Sequence, residues 1–151
     1  MIYLDSCALV KLVVAERETP TLERFLDGRR AEMVSCQLAL TEVVRVVRRS
    51  GYNSQREMVM SGEALAARVE AAANLLDRID LVVVNRVVFI EAAAFAEDPH
   101  VGSLDAIHLT CARRIGAELT DFITYDAQLA RAAEAIGLPV TRPGAEPDPA
   151  V

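Results

Sequence analysis

The chain has 151 residues, of which 52% are apolar and 25% charged, a balance that suits one compact domain with a core of its own. Its formal net charge of -6 argues against a protein that coats nucleic acid through a broad basic surface. No apolar run approaches the roughly 18 residues of a membrane span, and Met1 leads into Ile2-Tyr3-Leu4 with no basic leader, so neither an anchor nor a signal peptide is expected. Cys7, Cys36 and Cys111 form no CxxC pair, which argues against a disulfide framework or a zinc site and for a reducing, cytoplasmic setting. A mean hydropathy of +0.24 is high for a small domain and suggests that some apolar surface lies in an interface.

In chain order, Met1 to Asp5 reads as a short buried strand, and Ser6 can cap a helix carrying Leu9, Val10, Leu12 and Val13. Thr19-Pro20 starts a second helix, with Thr19 at the cap and Pro20 at the first helical position, and Gly28 ends it. Met33-Val34-Ser35 is a strand. A helix runs from about Gln37 to Arg49 and stops at Gly51, and an alanine-rich one covers Glu63 to Leu76. Leu81 to Val84 is a further strand, followed by a helix through Phe89 and Phe95 and a loop at Pro99 to Gly102. Ser103 caps a helix from Leu104 to Ile115 that Gly116 terminates. Phe122 to Thr124 is a strand, Asp126 opens a helix that Gly137 ends, and Leu138 to Thr141 is a last strand. Short apolar strands alternating with helices predict an α/β fold, a mainly parallel sheet covered on both faces, in one domain over residues 1–141. Prolines 143, 147 and 149 mark residues 142–151 as a flexible tail.

Ligands of open parallel sheets bind beyond the carboxyl ends of the strands. Asp5 and Asp126 each follow such a strand, and Asp105 lies in the first turn of a helix that starts at the same edge. Taken singly, each is equally a helix cap or a partner of the helix dipole. Glu42 shares a helix face with Arg45, Val46 and Arg49. That face reads either as a solvated surface with Glu42 paired to an arginine or as a carboxylate facing a site with arginines behind it to hold phosphates. Two carboxylates about 5 Å apart repel by roughly 3 kcal/mol at an effective dielectric near 20. A cluster of four therefore either protonates in part or binds a cation, and oxygen-only ligation suits Mg2+ or Mn2+. His108 beside Leu109 and Ala112 reads as a buried core residue, and Tyr3, Tyr52 and Tyr125 are too scattered to form a base-stacking platform. His100 carries no signal. Asp121 precedes its strand and belongs to the opposite edge.

The run Tyr3-Leu4-Asp5-Ser6-Cys7-Ala8-Leu9 resembles the start of a PIN domain. Thr41-Glu42-Val43, Ser103-Leu104-Asp105-Ala106-Ile107-His108 and Phe122-Ile123-Thr124-Tyr125-Asp126 are similar to its later motifs, in the right order and spacing up to about Val140. A small stand-alone PIN domain of this kind resembles a VapC-type toxin of a type II toxin–antitoxin pair. The resemblance implies an α/β/α sandwich and a Mg2+- or Mn2+-dependent endoribonuclease, in which metal-activated water attacks the phosphodiester in line. It places Asp5, Glu42, Asp105 and Asp126 at the catalytic and metal-binding positions, with Ser6 and Thr124 in support; the helix face shared with Glu42 adds Arg45 and Arg49 as candidate phosphate contacts. It further implies an RNA substrate, a cognate antitoxin and a homodimer. Cys7 departs from the pattern, which has a second Ser or Thr there.

Three rivals fit less well. A haloacid-dehalogenase-type phosphatase needs an acid where Cys7 stands, and a receiver domain needs a lysine after a late strand, whereas Lys11 comes early. No GxGxxG or Walker A sequence supports a nucleotide cofactor. A non-catalytic module with the same fold has less reason to keep all four acids.

Overall fold

The computed structural model describes residues 1–97 and 101–146, so Pro99 and His100 of the expected loop and the end of the tail lie outside the described residues. Five strands, β1 (Ile2–Leu4), β2 (Met33–Cys36), β3 (Asp80–Val82), β4 (Asp121–Ile123) and β5 (Val140–Thr141), form one sheet in the order β3-β2-β1-β4-β5. Every pairing is parallel. Among the described residues seven α-helices accompany them: α1 (Ser6–Lys11), α2 (Thr19–Asp27), α3 (Ala39–Arg49), α4 (Gly62–Leu76), α5 (Arg86–Ala92), α6 (Ser103–Ile115) and α7 (Ala127–Ala135).

Alternation along β1 divides the core. Ile2 and Leu4 face one layer with Leu9, Leu22, Val43, Val47 and Leu76, which come from α1 to α4. Tyr3 faces the other, with Val88, Leu109, Phe122 and Leu129 from α5 to α7 and β4. The Tyr3 and Phe122 rings stack with centroids 5.3 Å apart. A sheet buried on both faces explains why its strands read as short continuous apolar runs.

The strand order reverses at β1. From there the chain crosses to β2 and β3 on one side and returns to β4 and β5 on the other, which opens a crevice at the carboxyl ends of β1 and β4. In register Leu4 pairs with Ile123, so the next residues, Asp5 and Thr124, meet at the mouth of that crevice.

Three helix starts differ from expectation. Asp5, not Ser6, caps α1, because its extended backbone lets the carboxylate accept from the Ala8 N–H at 2.8 Å and frees the Ser6 hydroxyl. Glu18 occupies the cap position of α2, while the Thr19 hydroxyl donates to Lys11 O and ties α2 to α1. Gly102 precedes α6 and Ser103 is its first residue, without a capping bond. Gly137 does end α7, at φ 80, with the Leu138 N–H returning to Ala133 O at 3.0 Å. Residues 142–146, assigned to the tail, lie against the body: the Tyr125 hydroxyl donates to Pro143 O at 2.8 Å and Arg17 pairs with Glu146. Between α3 and α4 the chain makes an unanticipated hairpin, closed by an antiparallel bridge between Tyr52 and Met58. No described helix is long and apolar enough to cross a membrane.

Candidate active site

Asp5 sits at the end of β1 and is 2% exposed. Its Oδ1 accepts the Ala8 N–H, and its Oδ2 accepts the Thr124 hydroxyl at 2.6 Å. The Cys7 thiol lies 3.0 Å from both oxygens and accepts the Tyr125 N–H. Burial raises the Asp5 carboxyl above its ordinary value, against hydrogen bonds from Cys7, Thr124 and Ala8 that favour the ion. Burial and the charge of Asp5 also push the Cys7 thiol up, so it stays protonated and donates as a Ser or Thr hydroxyl would at that place. Thr124 joins two acids: its oxygen donates to Asp5 and accepts the Asp126 N–H at 3.1 Å. Asp126 in turn caps α7, its Oδ1 accepting from Gln128 and Leu129. The capping and site readings of Asp5 and Asp126 are thus compatible, since each carboxylate holds its helix while standing at the crevice.

Glu42 turns into the crevice rather than toward an arginine. Its Oε2 accepts the Ser6 hydroxyl at 2.5 Å and lies 3.0 Å from His108 Nε2. The other ring nitrogen of His108 lies 2.8 Å from the Tyr3 hydroxyl, with Cys36 Sγ at 3.6 Å. Burial opposes a charge on His108, but the contacts with Cys36 and Glu42 and the negative charge of Asp5 outweigh it and raise the imidazole above its usual value. The same hydrogen bond lowers Glu42, which burial alone would raise. His108 is as buried as expected, at 3% exposure, but it is also a partner of the site. Its spacing of three residues from Asp105 was the available signal.

Asp105 opens onto the crevice from the first turn of α6. Burial first, then the charges of Asp126 and Glu42, raise its carboxyl, which places both of those acids within electrostatic reach of Asp105. A cleft of about 460 Å³ is lined by Ser6, Cys7, Glu42, Tyr125 and Asp126. Lys11 also lines it but is neutralised by Glu16 and Glu18. Arg45 and Arg49 line an adjoining groove together with Glu42. Asp121 is at the far end of β4, bonded to Arg29 and Thr141.

Glu42 and Asp126 therefore line one crevice, Asp5 lies buried beneath it through Cys7 and Thr124, and Asp105 lies within their electrostatic reach, beside the buried imidazole of His108. Among the described residues no three acidic, histidine or cysteine side chains are drawn close enough to form a ready metal sphere. The donor chemistry nonetheless fits a hard divalent cation, because the exposed donors are carboxylate oxygens whose mutual repulsion a cation relieves. A model of the PIN domain matches residues 2–135. The chain belongs to the PIN domain family. It is 40% identical to Ribonuclease VapC35 of Mycobacterium tuberculosis H37Rv over 146 residues, covering 95% of this chain and 98% of that one. To Ribonuclease VapC47 of strain CDC 1551 it is 35% identical, covering 96% and 98%. In fold, this PIN domain is similar to the crystal structure of M. tuberculosis VapC20, described as a sarcin–ricin-loop-cleaving toxin, with a TM-score of 0.68, 16% identity and coverage of 95% and 100%. It is likewise similar to a chain of FitAB bound to a DNA fragment, with a TM-score of 0.65, 15% identity and coverage of 97% and 98%. This PIN domain is of the VapC type.

Proposed function

We propose that this VapC-type PIN domain is a divalent-metal-dependent endoribonuclease and the toxic member of a toxin–antitoxin pair. The observation that carries the reading is the gathering of Asp5, Glu42, Asp105 and Asp126 around the β1/β4 crevice. The ribonuclease names of the VapC relatives support it.

Asp5 and Asp105 are the first choices to hold a cation, with Asp126 and Glu42 completing the set. A bound Mg2+ or Mn2+ supplies charge neutralisation for the phosphate and an activated water. Thr124 and the Ala8 amide fix the Asp5 carboxylate in one orientation. Ser6 and His108 hold Glu42 ionised and aimed inward. Asp105, less enclosed than Asp5, keeps one side open to substrate and solvent. Arg45 and Arg49 meet phosphates beside the scissile bond, which lets an acidic chain engage RNA locally. By analogy with the family, the products are a 5′-phosphate and a 3′-hydroxyl. The acidic crevice equally suits a basic side chain of an antitoxin. A homodimer and a cytoplasmic setting complete the reading and rest on the family.

Purified wild type and Asp5→Asn, each incubated with RNA in Mg2+ or EDTA and followed by mapping of the RNA ends, test this. Cleavage by wild type in Mg2+ alone is expected. Full activity of Asp5→Asn, or of wild type in excess EDTA, overturns it.

A further inference from the structure

The protein is acidic overall, yet between Ala39 and Met60 it carries four arginines, Arg45, Arg48, Arg49 and Arg56, against two glutamates. Both glutamates are engaged elsewhere: Glu42 by Ser6 and His108, and Glu57 by the Asn53 amide. Among the described residues the four guanidinium groups have no hydrogen bond, ion pair or ring contact, whereas Arg17, Arg29 and Arg114 are paired with acids. Four unpaired cations on one helix and the hairpin that follows it form a local basic stretch on a negative protein, a place where a polyanion can be received.

Their placement is linear. The carboxylate cleft shares Glu42 and Val46 with the neighbouring groove, and that groove shares Arg49 with a third hollow lined by Tyr52, Asn53, Ser54 and Arg56. The three hollows thus adjoin in series, from the acids past α3 to the hairpin. Arg45 and Arg49 lie one turn apart, about 6 Å at the rise of an α-helix, a spacing comparable to that of successive phosphates in an extended strand. The last hollow, about 550 Å³, is large enough for a nucleoside. Tyr52 is 43% exposed there, and its backbone is held in place. Its N–H donates to Arg49 O at 3.0 Å, its partner across the hairpin is Met58, and Asn53 Oδ1 accepts from Gln55 and Glu57 to fix the turn. A side chain carried on a backbone already fixed stacks a base with less loss of entropy than one on a mobile loop.

We propose that the Tyr52 hairpin is a nucleotide subsite for single-stranded RNA: one unpaired base stacks on Tyr52 while Arg49 and Arg56 hold its flanking phosphates, and the strand runs along Arg45 to the crevice. The ligand class rests on the ribonuclease reading above. One isolated tyrosine, unremarkable in the sequence, acquires this role because the hairpin sets it between two free arginines.

The test measures binding of a labelled single-stranded RNA dodecamer to the Asp5→Asn protein in EDTA by fluorescence anisotropy, so that neither cleavage nor metal intervenes. Tyr52→Ala is expected to weaken binding about tenfold, and Tyr52→Phe to restore it. Arg56→Ala is expected to lower the salt dependence by about 0.7 of a counterion. Duplex RNA and a dinucleotide are expected to be indifferent to Tyr52→Ala. Because Tyr52 is exposed, unchanged melting of the variants separates loss of binding from loss of fold. Equal affinity of wild type and Tyr52→Ala overturns the subsite, as does Tyr52→Leu matching Tyr52→Phe. So does a Tyr52→Ala defect confined to a protein partner. A dodecamer whose binding depends on Tyr52, alongside a wild type that cleaves no RNA in Mg2+, upholds the subsite and removes the nuclease reading instead.

Discussion

His108 Nε2 lies 3.0 Å from Glu42 Oε2, and the opposite side of the ring meets the fully buried Tyr3 hydroxyl. Through this pair the orientation of an acid on α3 is decided by a residue of α6, across the end of the sheet. His108 is a positioning residue, with no substrate contact of its own required. His108→Phe leaves Glu42 without its cationic partner and takes the imidazole from the Tyr3 hydroxyl. The expected cost is about 2–3 kcal/mol in urea unfolding, and at least tenfold in cleavage rate. His108→Gln, which keeps one hydrogen bond, is expected to recover most of the stability and part of the rate. A Phe variant as stable and active as wild type contradicts the role.

Asp5 is buried at the expense of stability. Its folded carboxyl is raised, so the folded state retains the proton more readily than the unfolded chain does. Stability from this group is therefore present below the ordinary carboxyl range and lost as pH climbs through the raised value. At neutral pH in EDTA, Asp5→Asn is expected to melt above wild type, and the gap is expected to close in acid. Added Mg2+ or Mn2+ is expected to raise the melting temperature of wild type more than that of the variant. Scanning calorimetry across pH, with and without metal, reads both effects. A lower-melting Asp5→Asn at pH 7 in EDTA contradicts the account.

Gly144 fastens residues 142–146. Its φ is 79, and a Cβ there meets Thr21 Cβ at 3.0 Å, so Ala has neither the backbone conformation nor the space. Gly144→Ala is expected to cost about 1–2 kcal/mol and to release the Tyr125–Pro143 hydrogen bond. Faster proteolysis after Thr141, seen by mass spectrometry, is the readout. Unchanged proteolysis shows that this stretch is not held from Gly144.

The carboxylates at strand ends were legible because the signal is local: a short apolar run, then an acid, then a helix start. That pattern placed Asp5 and Asp126 before any sheet order was known. The order β3-β2-β1-β4-β5 was not legible, since it depends on crossovers that leave no local mark. Glu42 stayed open because a helix face shared with Arg45 and Arg49 allows either pairing, and only the arrival of His108 and Ser6 from other elements decides it. The hairpin at Tyr52 escaped notice because one Asn side chain organises it instead of a periodic pattern.

The central position of β1 has a consequence for the timing of synthesis. The first strand made is flanked on one side by β2 but on the other by β4, which follows it by more than a hundred residues. A chain still being translated can hold β1 against β2, yet Asp5 lacks Thr124 and Asp126 until the second half has left the ribosome. The assembled crevice is thus a late product of elongation. A nascent chain carries no complete carboxylate crevice beside the message that encodes it.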